Sequence, residues 1–303
     1  MPRCLIIRNP ASRRQLKPAQ LEAAVGMLRV AGWDAVISVT ERAGHATEVA
    51  REAADQLVDV VVANGGDGTI NEVMNGLVGS QTAMAVLPGG TANVWAKEIH
   101  VPKDPAKAMR IVATGDRRRI DLGVANGRYF LLMAGIGLDA EIIPRVNPWL
   151  KRRAGALAYV IAGLTTAIRT RPWEVRLRID GEERETPLYW MLAGNTRNYG
   201  GLVHITHRAR ADDGLTDVAL MRRGGLHLLP DGIRVLLRRH ERSPNVMYTQ
   251  AKELVIETAG LPVQLDGERC METPLRITTA AQALTVIVPA GLRSPLFGVQ
   301  RVL

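Results

Sequence analysis

Apolar positions change their period part-way along the chain. Up to about residue 120, short β-branched runs alternate with stretches whose apolar residues recur at helical spacing. Residues 4–8 read as a strand. Residues 18–31 read as a helix, with Leu21, Ala24, Val25 and Leu28 on one face. A strand over 35–39, a helix over 44–55, apolar runs over 60–63 and 83–87 and a helix over 103–114 continue the series. Strand–helix succession predicts a parallel sheet. After Ile120 strand-like runs dominate, at 128–134, 175–179, 188–192, 217–222, 253–257, 263–265, 275–279 and 284–288. Asn126-Gly127, Asp180-Gly181 and Asp266-Gly267 supply turn signals between many of them. This predicts a mainly antiparallel second domain, with helices at 154–168 and 230–239.

The run Val60-Val61-Val62-Ala63 stops at Asn64-Gly65-Gly66-Asp67-Gly68-Thr69, and a helical pattern with Val73, Met74 and Leu77 follows. Glycines let backbone approach a bulky anion, and a helix N-terminus directs N–H groups at it. The turn reads as a phosphate cradle in which Asp67 has no evident structural task. The text is not a P-loop, and Gly66 to Asn71 lacks the third glycine of the dinucleotide fingerprint. A second glycine turn, Pro88-Gly89-Gly90-Thr91-Ala92-Asn93, follows the next apolar run. Thr91 is expected to cap a helix beginning near Ala92. Two successive strand–helix units place both loops at one edge of a parallel sheet, where ligands of open α/β sheets bind.

At these residues the chain resembles the diacylglycerol kinase catalytic-domain family, which includes bacterial lipid kinases and sphingosine kinases and is related to NAD kinases. Gly65-Gly66-Asp67-Gly68-Thr69 with Asn71-Glu72, then Pro88 to Asn93, Gly135-Ile136-Gly137-Leu138-Asp139-Ala140, Asp213-Gly214-Leu215 and Asp266-Gly267-Glu268 follow family order over nearly the whole chain. The resemblance implies an α/β nucleotide-binding domain over 1–121, joined by a C-terminal segment 291–303, and a β-rich lipid-substrate domain over 122–290. It implies ATP and Mg²⁺ as cofactors and transfer of the γ-phosphate to a lipid hydroxyl such as that of diacylglycerol, in a cleft between the two domains.

By that resemblance the nucleotide contacts are Asn9, Pro10, Ala11, Ser12, Arg13, Thr40, Gly65, Gly66, Asp67, Gly68, Thr69, Asn71, Glu72, Gly90, Thr91 and Asn93. Asp67 also reaches toward Mg²⁺. Asp213, with the carbonyls of Arg210 and Leu215, holds a further metal. Glu268, with Asp266 beside it, acts as base, and Asp139 lies near the active cleft. A lipid hydroxyl needs such a base as it attacks. Asp180-Gly181-Glu182 repeats the text of 266–268, and local physics does not separate the copies. Only the family's placement of its catalytic copy near the C-terminus selects Glu268. Two residues depart from the family pattern: Arg13 stands where glycine usually follows Ser12, and Val94 where an aspartate often follows Asn93.

A formal charge of +9 and a pI of about 10.0 suit anionic membranes or nucleotide phosphates. Aromatic residues make up 4%, which argues against stacking platforms for nucleic acid. Between 142 and 173, Arg145, Lys151, Arg152, Arg153, Arg169 and Arg171 stand without an acid. Trp149 and Leu150 there suit a lipid headgroup layer as well as an ordinary loop. Cys4 and Cys270 provide neither a disulfide framework nor metal-ligand spacing. His204-x-x-His207 lacks the third ligand that zinc needs. No signal peptide or span of ~18 apolar residues is read, so a cytoplasmic, peripherally membrane-associated protein is expected. A homodimer stays open. Two rivals share the first loop or the fold: an NAD kinase, and a non-catalytic lipid- or nucleotide-binding regulator.

Overall fold

The computed structural model describes residues 1–13, 16–138, 140–141, 171–201 and 203–298. Asp139, Trp149 with its basic neighbours up to 170, and the helix expected at 154–168 lie outside the described residues. The chain divides into two compact units, 1–121 with 281–303, and 122–280.

Unit 1 begins with β1 (Arg3–Arg8), α1 (Pro18–Val30), β2 (Asp34–Val39) and α2 (His45–Asp55). It continues with β3 (Val60–Gly65), α3 (Asp67–Leu77), β4 (Ala83–Pro88), α4 (Val94–Glu98) and α5 (Pro105–Thr114). The strands pair in parallel in the order β2-β1-β3-β4. β3 and β4 are buried along their whole length, as continuous apolar runs in a parallel sheet should be. The chain goes outward from β1 to β2 and then crosses back to β3. The strand order therefore reverses between β1 and β3, the position at which open α/β sheets bind ligands.

β5 (Asp116–Ala125) leads into unit 2, which contains β6 (Arg128–Phe130), β7 (Met133–Gly137), β8 (Trp173–Ile179), β9 (Glu182–Leu188) and β10 (Trp190–Gly194). Short strands β11 (Asn198–Tyr199) and β12 (Val203–His204) precede β13 (Thr216–Met221), α6 (Leu228–Leu236), β14 (Val246–Ala251) and β15 (Glu253–Ile256). β16 (Pro262–Leu265), β17 (Glu268–Glu272) and β18 (Leu275–Val288) complete the order. One antiparallel sheet runs β14-β13-β10-β7-β16-β17; β15, β8, β9 and the first part of β18 form the other. Ile136, Leu220 and Val263 from the first meet Leu177, Ile256 and Ile277 from the second in one apolar core. The second part of β18 belongs to unit 1, where Val286 pairs in parallel with Met84 of β4.

Several elements differ from the periodic reading. The run at 128–134 is two strands, because the amides of Leu131, Leu132 and Met133 turn to the Asp266 carboxylate. β9 escapes detection because its outward residues are charged and only Leu188 is buried. The apolar run 188–192 straddles the junction of β9 and β10 rather than forming one strand. The runs at 275–279 and 284–288 are a single strand, β18.

Candidate active site

Four loops leave the C-terminal ends of the unit 1 strands and tie to one another. After β1, the Asn9 amide donates to the Asn64 carbonyl (3.0 Å), and Asn9 Nδ2 donates to Thr69 Oγ1 (2.9 Å). Ala11 N donates back to Asn9 Oδ1, closing an Asx turn over Pro10. Ser12 Oγ donates to the Gly89 carbonyl (2.7 Å), and Arg13 Nη1 lies 3.3 Å from Thr91 Oγ1. The loops after β3 and β4 join through Gly89 N to the Gly65 carbonyl (2.8 Å). Their glycines are required by contact: a Cβ on Gly90 would lie 2.6 Å from Gly66 Cα. Thr40 ends β2 at the same edge, buried, with its amide on the Arg8 carbonyl.

Gly66, which precedes α3, has no side chain to cap its first turn, and the Asp67 amide is taken by its own carboxylate, so the amides of Gly68 and Thr69 face this edge as an anion-receptive group. Nearly all the nucleotide contacts expected from the sequence therefore share one rim. Glu72 turns elsewhere: its Oε2 accepts from Ala46 N (3.2 Å), and its carbonyl accepts from Thr47 Oγ1, so it supports the start of α2. Asn71 is engaged with Asn75 Nδ2 one turn on.

Two expectations about this rim are corrected. Asp67 does have a structural task, since its Oδ1 accepts from Val94 N at 2.7 Å and so caps α4. Thr91 is not the cap; Asn93, in left-handed conformation, precedes the first residue of that helix. Asn93 instead closes its own loop, accepting from Gly90 N and donating to the Gly90 carbonyl. Burial pushes the Asp67 carboxyl above the ordinary carboxylate range, against the pull of the amides of Val94, Asn93 and Trp95.

In unit 2, Asp266 and Gly267 form the tight turn between β16 and β17, both with positive φ. Asp266 accepts three backbone N–H groups, Leu131 and Leu132 at 2.8 Å and Met133 at 3.0 Å, while its own amide donates to the Met133 carbonyl. Its carboxylate is thus a clamp that holds the turn against β7. Gln264, which sequence reasoning missed, adds a further tie: its buried Oε1 accepts from Gly267 N at 2.6 Å. The only sequence signal for it was a polar residue inside an apolar strand. Glu268 pairs through its backbone with Leu265 at the start of β17, and its exposed carboxylate has no hydrogen-bond or ion-pair partner among the described residues.

The predicted metal residues form a turn just before β13. Asp213 Oδ1 accepts from Leu215 N (3.1 Å), and the Arg210 guanidinium lies 3.5 Å from Asp212. Antiparallel register brings the end of β16, the start of β7, the end of β10 and the start of β13 to one edge of the sheet. The Asp266–Glu268 and Asp213–Leu215 turns therefore share an edge. They are three strand spacings apart, roughly 14 Å. Among the described residues, no group of three or more His, Cys, Asp or Glu side chains could hold a metal ion.

The chain thus joins an α/β unit with a glycine-lined rim to an antiparallel sandwich that presents a clamped acidic turn. The diacylglycerol kinase catalytic domain matches residues 3–125, and the YegS C-terminal NAD kinase beta sandwich-like domain matches residues 133–288. The diacylglycerol kinase of Bacillus subtilis is 31% identical over 95% of this chain and 97% of its own. A Chromohalobacter salexigens protein described as "Probable lipid kinase YegS-like" is 34% identical over 91% of both. The crystal structure of a diacylglycerol kinase from Bacillus anthracis superposes with a TM-score of 0.75 at 25% identity, covering 95% of this chain and 96% of that one. The chain belongs to the diacylglycerol kinase catalytic-domain family of lipid kinases.

Proposed function

We propose that this protein is an ATP- and Mg²⁺-dependent lipid kinase that transfers the γ-phosphoryl group to a lipid hydroxyl such as that of diacylglycerol. The observation that carries this reading is the rim of unit 1, where four loops meet at the reversal of strand order beside the uncapped start of α3. Phosphoryl transfer asks mainly for positioning and charge neutralisation. Amides of Gly68 and Thr69 hold phosphate oxygens, with Arg13 and Thr91 at the outer side of the rim. Asn9, Ser12 and Asn93 keep the loops in register rather than contacting charge directly.

Glu268 takes the proton from the lipid hydroxyl as the new P–O bond forms and ADP leaves. Asp266 keeps the turn that carries Glu268 in place. Its three amide bonds support a positioning role rather than proton transfer.

Mg²⁺ fits the donor chemistry. Asp67 is a buried carboxylate that is costly to ionise alone and that a nearby cation would favour. Asp213 with the carbonyls of Arg210 and Leu215 is an all-oxygen set of the kind hard cations take. When bound, Mg²⁺ neutralises charge on the phosphates.

No described helix is long and apolar enough to cross a membrane. We infer a cytoplasmic enzyme that meets its substrate at an anionic membrane surface. The test is transfer of labelled γ-phosphate to a total lipid extract in mixed micelles, with wild type, Asp67→Ala and Glu268→Gln compared. A labelled lipid absent from both variants is expected. Label on NAD instead, or on nothing, would overturn the reading.

A further inference from the structure

α6 packs Leu228 against the buried cluster of Leu138, Tyr189 and Met221, yet leaves another part of its apolar surface in water. Its inward side holds Asp231, which is 1% exposed and accepts from Asn245 Nδ2 at 2.8 Å and from Arg234 Nη1 at 2.8 Å. Its outward side holds Ile233 and Leu236, which are 56% and 71% exposed, and Leu237, the residue that ends the helix, is 61% exposed beside them. Among the described side chains of residues 228–237, the other exposed positions are Pro230 and Gly232. A surface helix normally turns its charged side to water. Here a contiguous apolar strip is left in solvent, which marks an interaction surface.

The charge around the strip chooses its occupant. Residues 222–242 contain six arginines and two acids. One acid is Asp231, buried beneath the helix. The other, Glu241, is paired with Arg208 at 2.7 Å. Arg223, Arg238, Arg239 and Arg242 are exposed before and after the strip. Apolar residues bordered by arginines fit a layer whose outer surface is anionic and whose next few ångströms are hydrocarbon.

We propose that α6 is the element by which this chain docks on an anionic phospholipid bilayer, with Ile233, Leu236 and Leu237 inserted below the headgroups and the flanking arginines on lipid phosphates. The proposal deepens the lipid kinase reading and rests on it for its biological sense, but not for its test. Insertion of one short helix gives reversible binding, which suits an enzyme that must reach successive lipid molecules.

The experiment is co-sedimentation with vesicles, without ATP. Vesicles of phosphatidylcholine alone are compared with vesicles containing phosphatidylglycerol. Wild type should bind the second kind and not the first. Leu236→Asp should weaken that binding at least tenfold, and Leu236→Trp should tighten it. Arg239→Glu with Arg242→Glu should weaken it at least about thirtyfold, since each cation at a charged membrane surface is worth about a factor of five. All variants should keep the wild-type circular dichroism and thermal midpoint.

Transfer to a dispersed short-chain diacylglycerol should be unchanged in Leu236→Asp, and transfer to bilayer-borne diacylglycerol should fall. Wild-type binding by Leu236→Asp would overturn the proposal. So would a shift from dimer to monomer on sedimentation with vesicle binding intact, which would make the strip a contact between copies of the chain. If no diacylglycerol is phosphorylated by any form, the kinase reading falls while the vesicle result still decides the docking surface.

Discussion

Asp180–Gly181–Glu182 joins β8 to β9, and Asp266–Gly267–Glu268 joins β16 to β17. The two turns have nearly the same backbone, with φ of +50° and +89° in the first and +49° and +92° in the second. In both, the aspartate carboxylate reaches sideways to amides of a neighbouring segment. Asp180 takes Lys252 N and Glu253 N at 2.9 Å each, and Asp266 takes three amides. Identical text meets identical local physics, so the turn by itself carries no function. The differences lie around it. Glu182 is neutralised by Arg184 at 2.9 Å, whereas Glu268 has no such partner among the described residues. The first turn has Arg178 where the second has buried Gln264 holding Gly267. The second also sits at the sheet edge that carries Asp213. A glutamate held on a doubly anchored turn and left unpaired is suited to chemistry; one bridged to an arginine on a polar hairpin is not.

This contrast can be broken most sharply at the glutamates. Glu268→Gln should lower phosphoryl transfer by about 10²–10⁴-fold, the range for a lost general base. Glu182→Gln should leave the rate within about twofold, since an exposed ion pair is worth little. Equal losses in a lipid kinase assay would end the distinction. Urea unfolding should separate the aspartates next. Asp266→Ala strands three amides of inward-packed residues and should cost about 3 kcal/mol, while Asp180→Ala strands two exposed ones and should cost about 1 kcal/mol.

Gln264→Leu should cost about 1–2 kcal/mol and slow transfer as well, because the anchor beneath Glu268 is lost. A stability loss with an unchanged rate would mean that the turn does not need it. The smallest effects should be Gly181→Ala and Gly267→Ala. Each puts a side chain at positive φ with open space around it, and each should cost about 1 kcal/mol. The similarity of those two losses tests the claim that the turns are locally the same.

Much of the architecture was legible in the residues. The parallel unit followed from alternating strand and helix periods, and the antiparallel unit from closely spaced turn signals. The misses have physical causes. β9 is polar because one face sees solvent. Leu131 and Leu132 read as strand because nothing local reveals that a carboxylate 134 or 135 residues later takes their amides. The same distance effect hid the task of Asp67, whose partner Val94 lies 27 positions on. Glycine loops were readable because their requirement is local; the side chains that brace them were not. The exposed apolar strip of α6 was also invisible to periodicity, which reports the faces of a helix and not which of them the rest of the chain covers.

The long strand β18 has a bearing on how the chain is made. Its first residues finish unit 2 and its last ones pair with β4 of unit 1, so the rim-bearing sheet is completed by residues that leave the ribosome some 190 positions after β4 does. For that interval of synthesis β4 waits as an open border, while the whole of unit 2 emerges between the two pieces of unit 1. A chain stopped near residue 121 would hold every glycine of the rim and still lack the strand that closes the sheet behind it, so the two units are not interchangeable beads but an outer body interrupted by an insert.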